Sequence, residues 1–257
     1  MKICVLIKQV ASEDSPLIIS DNQNSIDTSN FNLVTNEPDS YALEEALIIK
    51  EKTDGEVVIC TLGPESSYQV IKDGLAKGAD RAIHIHCDNI DMLSPLEMSK
   101  IISHKLKEEN FDLILSGLQS NDYGYAQLGL LLAEHLNFSH SSLVMGTELI
   151  DGNKLKIKRE LENGWFQWSE INIPSSLSIQ SGINQPRYAT LKGIMSVKNK
   201  TIDKYNYNDF NLSLGAGYSI NKIALPSKSK ETETIEGSVD EIVSQLTDIL
   251  KNKIKVI

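Results

Sequence analysis

Residues 117–129, GLQSNDYGYAQLG, gather small, amide and acidic side chains between two apolar runs, FDLILSG and QLGLLLAEHLN. Gln119, Asn121, Asp122 and Gln127 offer amide and carboxylate groups. A helix starting at residue 127 would add free backbone N–H groups, which favour an anion such as a phosphate. Tyr123 and Tyr125 are of the type that stacks on a base or caps a loop. Gly117 closes the preceding run, and its missing side chain would let the backbone approach a ligand. Such groups at a strand-to-helix turn are of the kind that would bind an adenine nucleotide, and equally of the kind that merely closes a loop. The loop lacks the Gly-x-Gly-x-x-Gly and Gly-Lys-Ser/Thr spacings of the common phosphate cradles.

A second polar group stands in TNEPDSYALEEA, ahead of a helix expected over Ala42–Thr53. Capping by Asp39 or Ser40 explains one of its members. The further expectation is that Asn36 and Asp39 also line the mouth of the fold. Glu44 and Glu45 are read as first-turn acids that suit the helix dipole. His84 and His86 alternate on a strand and are followed by Cys87 and Asp88. They lack further ligands at sensible spacing and are read as polar residues at a strand end, with no metal. His104, His135 and His140 each stand alone, and there is no Gly-x-Ser-x-Gly elbow or Cys-His pairing, so no catalytic set is assigned.

The elements that must position these groups alternate. Strands are expected at 2–7, 56–62, 81–86 and 111–117, and helices at 42–53, 67–80 (ending near Gly78), 96–110 and 127–137, with a small hairpin around Ile18 and Ile26. Strands of this length alternating with helices predict an α/β fold with a doubly wound parallel sheet covered on both faces. Ligands in such sheets lie outside the carboxyl ends of the strands. Strand-like runs at 143–150, 154–161 and 165–173 are separated by Asp151-Gly152 and Asn163-Gly164, strong hairpin signals, and predict an antiparallel extension. Residues 186–236 read as an irregular C-terminal arm, and 239–251 as a last helix. The expected division is an α/β domain over 1–185 and an arm over 186–257.

With 25 basic and 35 acidic residues the 257-residue chain carries a net charge of −10. That is a poor surface for nucleic acid or an anionic membrane. No apolar run reaches the ~20 residues of a membrane span. MKICVLIKQV has too short an apolar stretch for a signal peptide and is read as the first strand. Cys4, Cys60 and Cys87 are odd in number, and the first two lie in apolar runs. They are read as buried thiols of an intracellular protein.

Several stretches then resemble one family, the electron transfer flavoprotein beta subunits. MKICVLIKQV is similar to the family's opening strand. NEPDSYALEEAL resembles its Asn-Pro…Ala-x-Glu-Glu-Ala segment, and GLAKGADRAIHI its Ala-Leu-Ala-Met-Gly-Ala-Asp-Arg…His segment. LILSGLQSNDYGYAQLG is similar to its Gly-x-Gln-Ala…Gln loop, and NQPRYATLKGIMSVKNKTI closely resembles its Asn-Glu-Pro-Arg-Tyr-Ala-Thr-Leu-Pro stretch. The resemblance covers nearly the whole chain. It implies an adenine nucleotide alpha hydrolase-like, Rossmann-like fold, and an electron carrier subunit that is not an enzyme.

The resemblance further implies a heterodimer with an alpha subunit, contacted by the arm, and one FAD held mainly on alpha. Electrons would come from flavin dehydrogenases and pass to a quinone reductase or other acceptor. The location implied is cytoplasmic, or the mitochondrial matrix in a eukaryote. In one branch the beta subunit holds a structural AMP, and in the electron-bifurcating branch a second FAD. The implied cofactor-binding residues are Leu6, Asn36, Glu37, Pro38, Asp39, Leu62, Gly117, Leu118, Gln119, Ser120, Asn121, Asp122, Tyr123, Gly124, Tyr125, Ala126, Gln127 and Leu128, with Leu6 and Leu62 acting through backbone. Leu191 matches the leucine with which the family anchors to partner dehydrogenases. Ala126-Gln127-Leu128 stands where the AMP branch has Asn-Gln-Thr. The bifurcating branch reads Asp-Gly-Asp-Thr-Ala-Gln-Val-Gly-Pro, of which the second Asp, the Thr and the Pro are missing, and AMP is the occupant expected. Lys192 replaces the usual Pro after Leu191. Two rivals are an ATP-cleaving enzyme of the hydrolase-like class, which would show Ser-Gly-Gly-x-Asp-Ser after the first strand, and a homodimeric stress-type nucleotide-binding module, which would not need the long arm.

Overall fold

KICVL, EVVICTLG, RAIHIH and LILSG are rich in β-branched and aliphatic residues, and each forms a strand with an almost wholly buried interior. The structure, a computed structural model, describes the chain apart from residues 22, 152, 216–218, 227–231 and 257, and the backbone alone at Asp151. The strands in chain order are β1 (Lys2–Leu6), β2 (Gln9–Ala11), β3 (Ile18–Ile19), β4 (Ile26–Asp27), β5 (Leu33–Thr35), β6 (Glu56–Gly63), β7 (Arg81–His86), β8 (Leu113–Gly117), β9 (Ser139–Asp151), β10 (Lys154–Glu160), β11 (Phe166–Asn172), β12 (Ser175–Ile179) and β13 (Ile202–Asn206). The helices are α1 (Glu37–Thr53), α2 (Tyr68–Lys77), α3 (Pro95–Leu106), α4 (Leu128–Leu136), α5 (Leu191–Ser196) and α6 (Val239–Asp248).

Nine strands form one sheet in the order β11-β10-β9-β12-β8-β1-β6-β7-β13. From β9 to β13 every neighbouring pair is parallel, and β10 and β11 add an antiparallel ribbon beyond β9. The doubly wound α/β sheet with an antiparallel extension is as expected. Period-two alternation divides the core. Ile3, Val5 and Ile7 face α1 and α2, with Leu43, Leu47, Ile71 and Leu75. Cys4 and Leu6 face α3 and α4, with Ile101, Ile102, Leu106 and Leu132. Each such Ile or Leu contributes about 1.5–3 kcal/mol by leaving water.

The chain runs from β1 through α1 to β6 and through α2 to β7, then returns through α3 to β8 on the other side of β1. The order therefore reverses between β1 and β8, and a crevice opens outside their carboxyl ends. The small hairpin is present as β3 with β4, and β2 pairs with β5 close to that crevice.

Three differences from the sequence expectations have physical causes. Helix α1 starts at Glu37 rather than Ala42, because Pro38 in the first turn has the φ a helix needs and no N–H to lose. Glu44 and Glu45 consequently lie beyond the first turn, and both are buried. Strand β12, SSLSI, was not expected, since no element was assigned to its serine-rich residues, yet it lies inside the sheet between β8 and β9. Within the segment expected to be irregular, α5 and β13 form, and β13 pairs with β7 over Ile202–Asn206 against Ala82–His86.

Asn163, at φ 57, turns the chain between β10 and β11 as the hairpin signal implied. Gly152 of the other hairpin signal lies outside the described residues, as do parts of the arm. Helix α6 keeps a capping box between Ser238 and Glu241 and leaves Val239, Val243 and Leu246 exposed. Among the described residues no helix is long and apolar enough to cross a membrane.

Candidate functional site

The reversal between β1 and β8 is built around one carboxylate. Asp39 Oδ2 accepts the Lys8 backbone N–H at 2.8 Å, and Oδ1 accepts that of Gly117 at 3.0 Å. It thus ties the exits of the two central strands together. Asp39 is 6% exposed. Burial pushes its carboxyl up to about 6, against the opposing pull of the Lys8 N–H, the Asn36 side chain, the Gly117 N–H and the Lys8 charge. Asp39 does not cap α1; the cap position is Asn36, whose side chain makes no capping bond.

Asn36 instead holds the loop. Its Nδ2 donates to Gln119 O at 3.1 Å, its Oδ1 accepts the Asn121 N–H at 3.0 Å, and its own N–H reaches Lys8 O at 2.9 Å. Lys8 Nζ meets Asp122 Oδ2 at 2.5 Å and lies 5.0 Å from the centre of the Tyr123 ring. Burial alone would raise Asp122, but the Lys8 charge and hydrogen bond win and hold it below the usual carboxylate value. Asp122 Oδ1 also accepts the Tyr123 N–H at 2.7 Å. Tyr123 and Tyr125 stack with ring centres 5.6 Å apart and planes 5° from parallel. Burial and the nearby Asp91 and Asp122 charges push the Tyr123 hydroxyl up to about 12.

These groups border a cleft. It is lined by the apolar residues Leu6, Leu62, Ile90, Met98 and Ile102, by Lys8, Asn36 and Asp39, and by most of the loop 117–129. Ala126, at φ 53, turns the backbone into Gln127 and the start of α4. Non-glycine residues in this left-handed region are uncommon, and the strain is held by the surrounding structure. Gly129 in the first turn of α4 lets that helix approach β8 and β12: a Cβ there would fall 2.7 Å from Ser178 Oγ and 2.9 Å from Ser116 Oγ. Ser116 Oγ is buried and has no hydrogen-bond partner among the described residues.

Most residues marked in the sequence come together here. Leu6, Asn36, Asp39, Leu62, Gly117 to Ser120, Tyr123 and Tyr125 to Leu128 line the cleft, whereas Glu37, Pro38, Asn121, Asp122 and Gly124 do not. Pro38, Asn121 and Asp122 act behind the wall through Gly117, Asn36 and Lys8. The structure gives Gly117 a second reason. A Cβ at 117 would lie 2.6 Å from Asp39 Oδ1 and 2.6 Å from Pro38 Cβ, so the glycine makes room for α1.

Sequence reasoning missed Lys8, whose signal was a basic residue just past the first strand. It also missed Ile90, Met98 and Ser116. The dipole reading of Glu44 and Glu45 was insufficient: Glu44 takes Arg187 in a fork, with Nε to Oε2 and Nη2 to Oε1 both 2.9 Å, and Glu45 Oε2 accepts Asn184 Nδ2 at 3.0 Å.

The histidines do not converge on a metal geometry. His84 Nε2 lies 3.2 Å from Gly63 O, and His86 Nε2 is 3.2 Å from Asp88 Oδ2. Burial lowers the His84 pKa. Among the described residues no three His, Cys, Asp or Glu side chains gather for a metal ion. Cys4, Cys60 and Cys87 are all buried free thiols, and burial raises Cys4 and Cys87. Leu191, the first residue of α5, lies far from the cleft loop in sequence and is 75% exposed.

Comparison with known proteins gives this geometry a family. Residues 24–209 match the electron transfer flavoprotein domain. The chain is 36% identical to the electron transfer flavoprotein subunit beta of Methylophilus methylotrophus, over 97% of this chain and 98% of the relative. It is 31% identical to the mitochondrial subunit beta of Oryza sativa subsp. japonica and 30% identical to the subunit beta of Bacillus subtilis (strain 168), each over the full length of both chains. A doubly wound sheet with its cleft at the β1–β8 reversal, and matches running end to end, place the chain in the electron transfer flavoprotein family as a beta subunit, an electron carrier rather than an enzyme.

Proposed function

We propose that the chain pairs with an electron transfer flavoprotein alpha subunit and that its cleft holds a structural AMP. The FAD that accepts and releases electrons lies mainly on the alpha subunit. Flavin dehydrogenases supply the electrons, and a quinone reductase or comparable acceptor takes them.

The cleft itself is the observation that carries the AMP reading. Its apolar lining of Leu6, Leu62, Met98 and Ile102 suits an adenine ring, and the start of α4 offers N–H groups to one phosphate. Both nearby acids are already satisfied. Asp39 spends its oxygens on the Lys8 and Gly117 amides, and Asp122 is paired with Lys8, so neither presents a free charge to a phosphate. The unpartnered Ser116 Oγ in the wall adds a hydroxyl at the same end.

Leu191 is the proposed anchor for the donor dehydrogenase. It stands with Tyr188, Ile194 and Met195 in one short segment, at exposures of 75%, 93%, 56% and 62% respectively. Such clustering of apolar side chains in water marks an interaction surface.

Co-expression with the alpha subunit, followed by extraction and counting of nucleotides, tests the reading. A yellow 1:1 heterodimer with one FAD and one AMP is expected. Two flavins and no AMP would assign the cleft to a second FAD, and a stable, colourless homodimer would remove the carrier reading altogether.

A further inference from the structure

The exposed segment around Leu191 is not a free tether. Arg187, just before it, donates Nε and Nη2 to the two Glu44 oxygens, both at 2.9 Å, and Nη1 to Glu51 Oε1 at 2.6 Å. Its backbone N–H also reaches Glu44 Oε2 at 3.1 Å. The Glu44 side chain is 8% exposed, so this fork is anchored inside α1 rather than on its surface. Such bidentate pairs fix geometry as well as charge. Lys200, just after the segment, donates Nζ to Leu75 O at 2.8 Å and to Ala79 O at 2.6 Å, at the carboxyl end of α2.

Between these clamps the segment is shaped from within. Thr190 caps α5 by accepting the Gly193 N–H at 3.0 Å. Gly193 lies against Ala76 O so closely that no side chain fits there. The apolar side chains of Tyr188, Leu191, Ile194 and Met195 project to solvent from a backbone held on both α1 and α2.

We propose that Arg187 is a positioning residue for electron transfer: its fork to Glu44 and Glu51 presets the backbone that displays Leu191 to the donor dehydrogenase. A preset surface meets its partner without the entropy cost of ordering on contact. This rests on the docking reading of Leu191, and the test separates the two. Lysine cannot replace Arg187, because an ammonium has no planar fork to match the carboxylate.

The test uses the purified heterodimer and a flavin dehydrogenase that reduces the wild-type complex. Arg187→Gln should raise the KM for the dehydrogenase about tenfold, because the displayed segment must then be ordered on contact, with kcat changed less than about twofold. Arg187→Lys should not restore it. Amide hydrogen exchange over residues 188–196 should speed up in both variants. Arg187→Gln alone leaves Glu44 buried without its partner and should also lower the melting temperature.

The double variant R187Q/E44Q removes that buried charge. It should recover much of the melting temperature while the KM stays raised. A KM that recovers together with the melting temperature would show a purely structural role and overturn the inference, as would unchanged exchange over 188–196 in Arg187→Gln. Leu191→Ala with an unchanged KM would instead sink the docking reading itself. A raised KM for Leu191→Ala beside a normal one for Arg187→Gln would leave docking intact and refute the role given to Arg187.

Discussion

Asp39 Oδ1 accepts the Gly117 N–H at 3.0 Å and stands 2.6 Å from where a Cβ on that residue would lie. The hydrogen bond and the missing side chain are therefore one requirement: helix α1 seats its first turn on the end of β8. Gly117→Ala should cost about 1–3 kcal/mol by overpacking, since Pro38 backbone is also within 2.7 Å and cannot yield as a flexible side chain would. Urea unfolding of the heterodimer measures this. A variant as stable as wild type would show that α1 can shift away.

Asp39 should also leave a signature in pH. Its carboxyl titrates near 6 in the folded chain, above the unfolded value of about 3.9. The folded state thus holds the proton more strongly. The contribution of Asp39 to stability is greatest below about pH 4, falls as the pH rises through about 6, and is level above that. Asp39→Asn cannot titrate and offers one acceptor to two N–H groups. The stability advantage of wild type over this variant should therefore shrink between pH 4 and 7.5 by on the order of 2–3 kcal/mol. An advantage that grows over that range would mean that the amides, not burial, control the group.

The loop gives a third test. Asp122 fixes Lys8 and the Tyr123 amide, while Gln127 stands at the start of α4. If the cleft holds the proposed AMP, Asp122→Ala with Gln127→Ala should weaken assembly with the alpha subunit by loosening that nucleotide. The visible spectrum of whatever heterodimer forms should stay nearly unchanged. Analytical ultracentrifugation beside absorbance resolves the two effects. A shifted flavin spectrum would place this loop against the redox flavin.

Leu191→Ala should leave the melting temperature within about 1 °C, because exposed substitutions rarely move stability by more than about 0.5 kcal/mol. Electron transfer from the donor dehydrogenase should fall by at least about tenfold if the leucine fills a partner pocket. Stopped-flow reduction of the heterodimer reads this directly. Normal transfer with reduced thermal stability would return Leu191 to a packing role on its own subunit.

How much of this was legible in sequence depended on how each residue announces itself. Runs such as EVVICTLG and LILSG declare buried strands, and their alternation with helices gave the sheet and the side on which the cleft opens. SSLSI carries no such signal, because its serines lie under α4 where Gly129 leaves little room, and small size matters there more than polarity. IDKYN looked like irregular arm, being an edge strand that mixes apolar with charged residues. At the site, Asn36 and Asp39 could be marked, but not that both serve backbone amides from segments up to 85 positions away. Lys8 and Arg187 were passed over, and Glu44 was read only as a first-turn acid, for the same reason: a charged residue's partner is set by tertiary folding, and sequence spacing does not reveal it.

Strand β13 has a consequence for the life of the protein in the cell. It joins the edge of the sheet only by pairing with β7, some 120 residues earlier in the chain. Pairings this distant form late, after loop-closure entropy has been overcome. The segment carrying Leu191 immediately precedes β13 and is seated on α1 and α2. The seating of this segment is thus coupled to a pairing of high sequence separation, which is slow to form. On the docking role proposed for Leu191, a chain whose β13 has not yet paired with β7 would offer a donor dehydrogenase no finished surface.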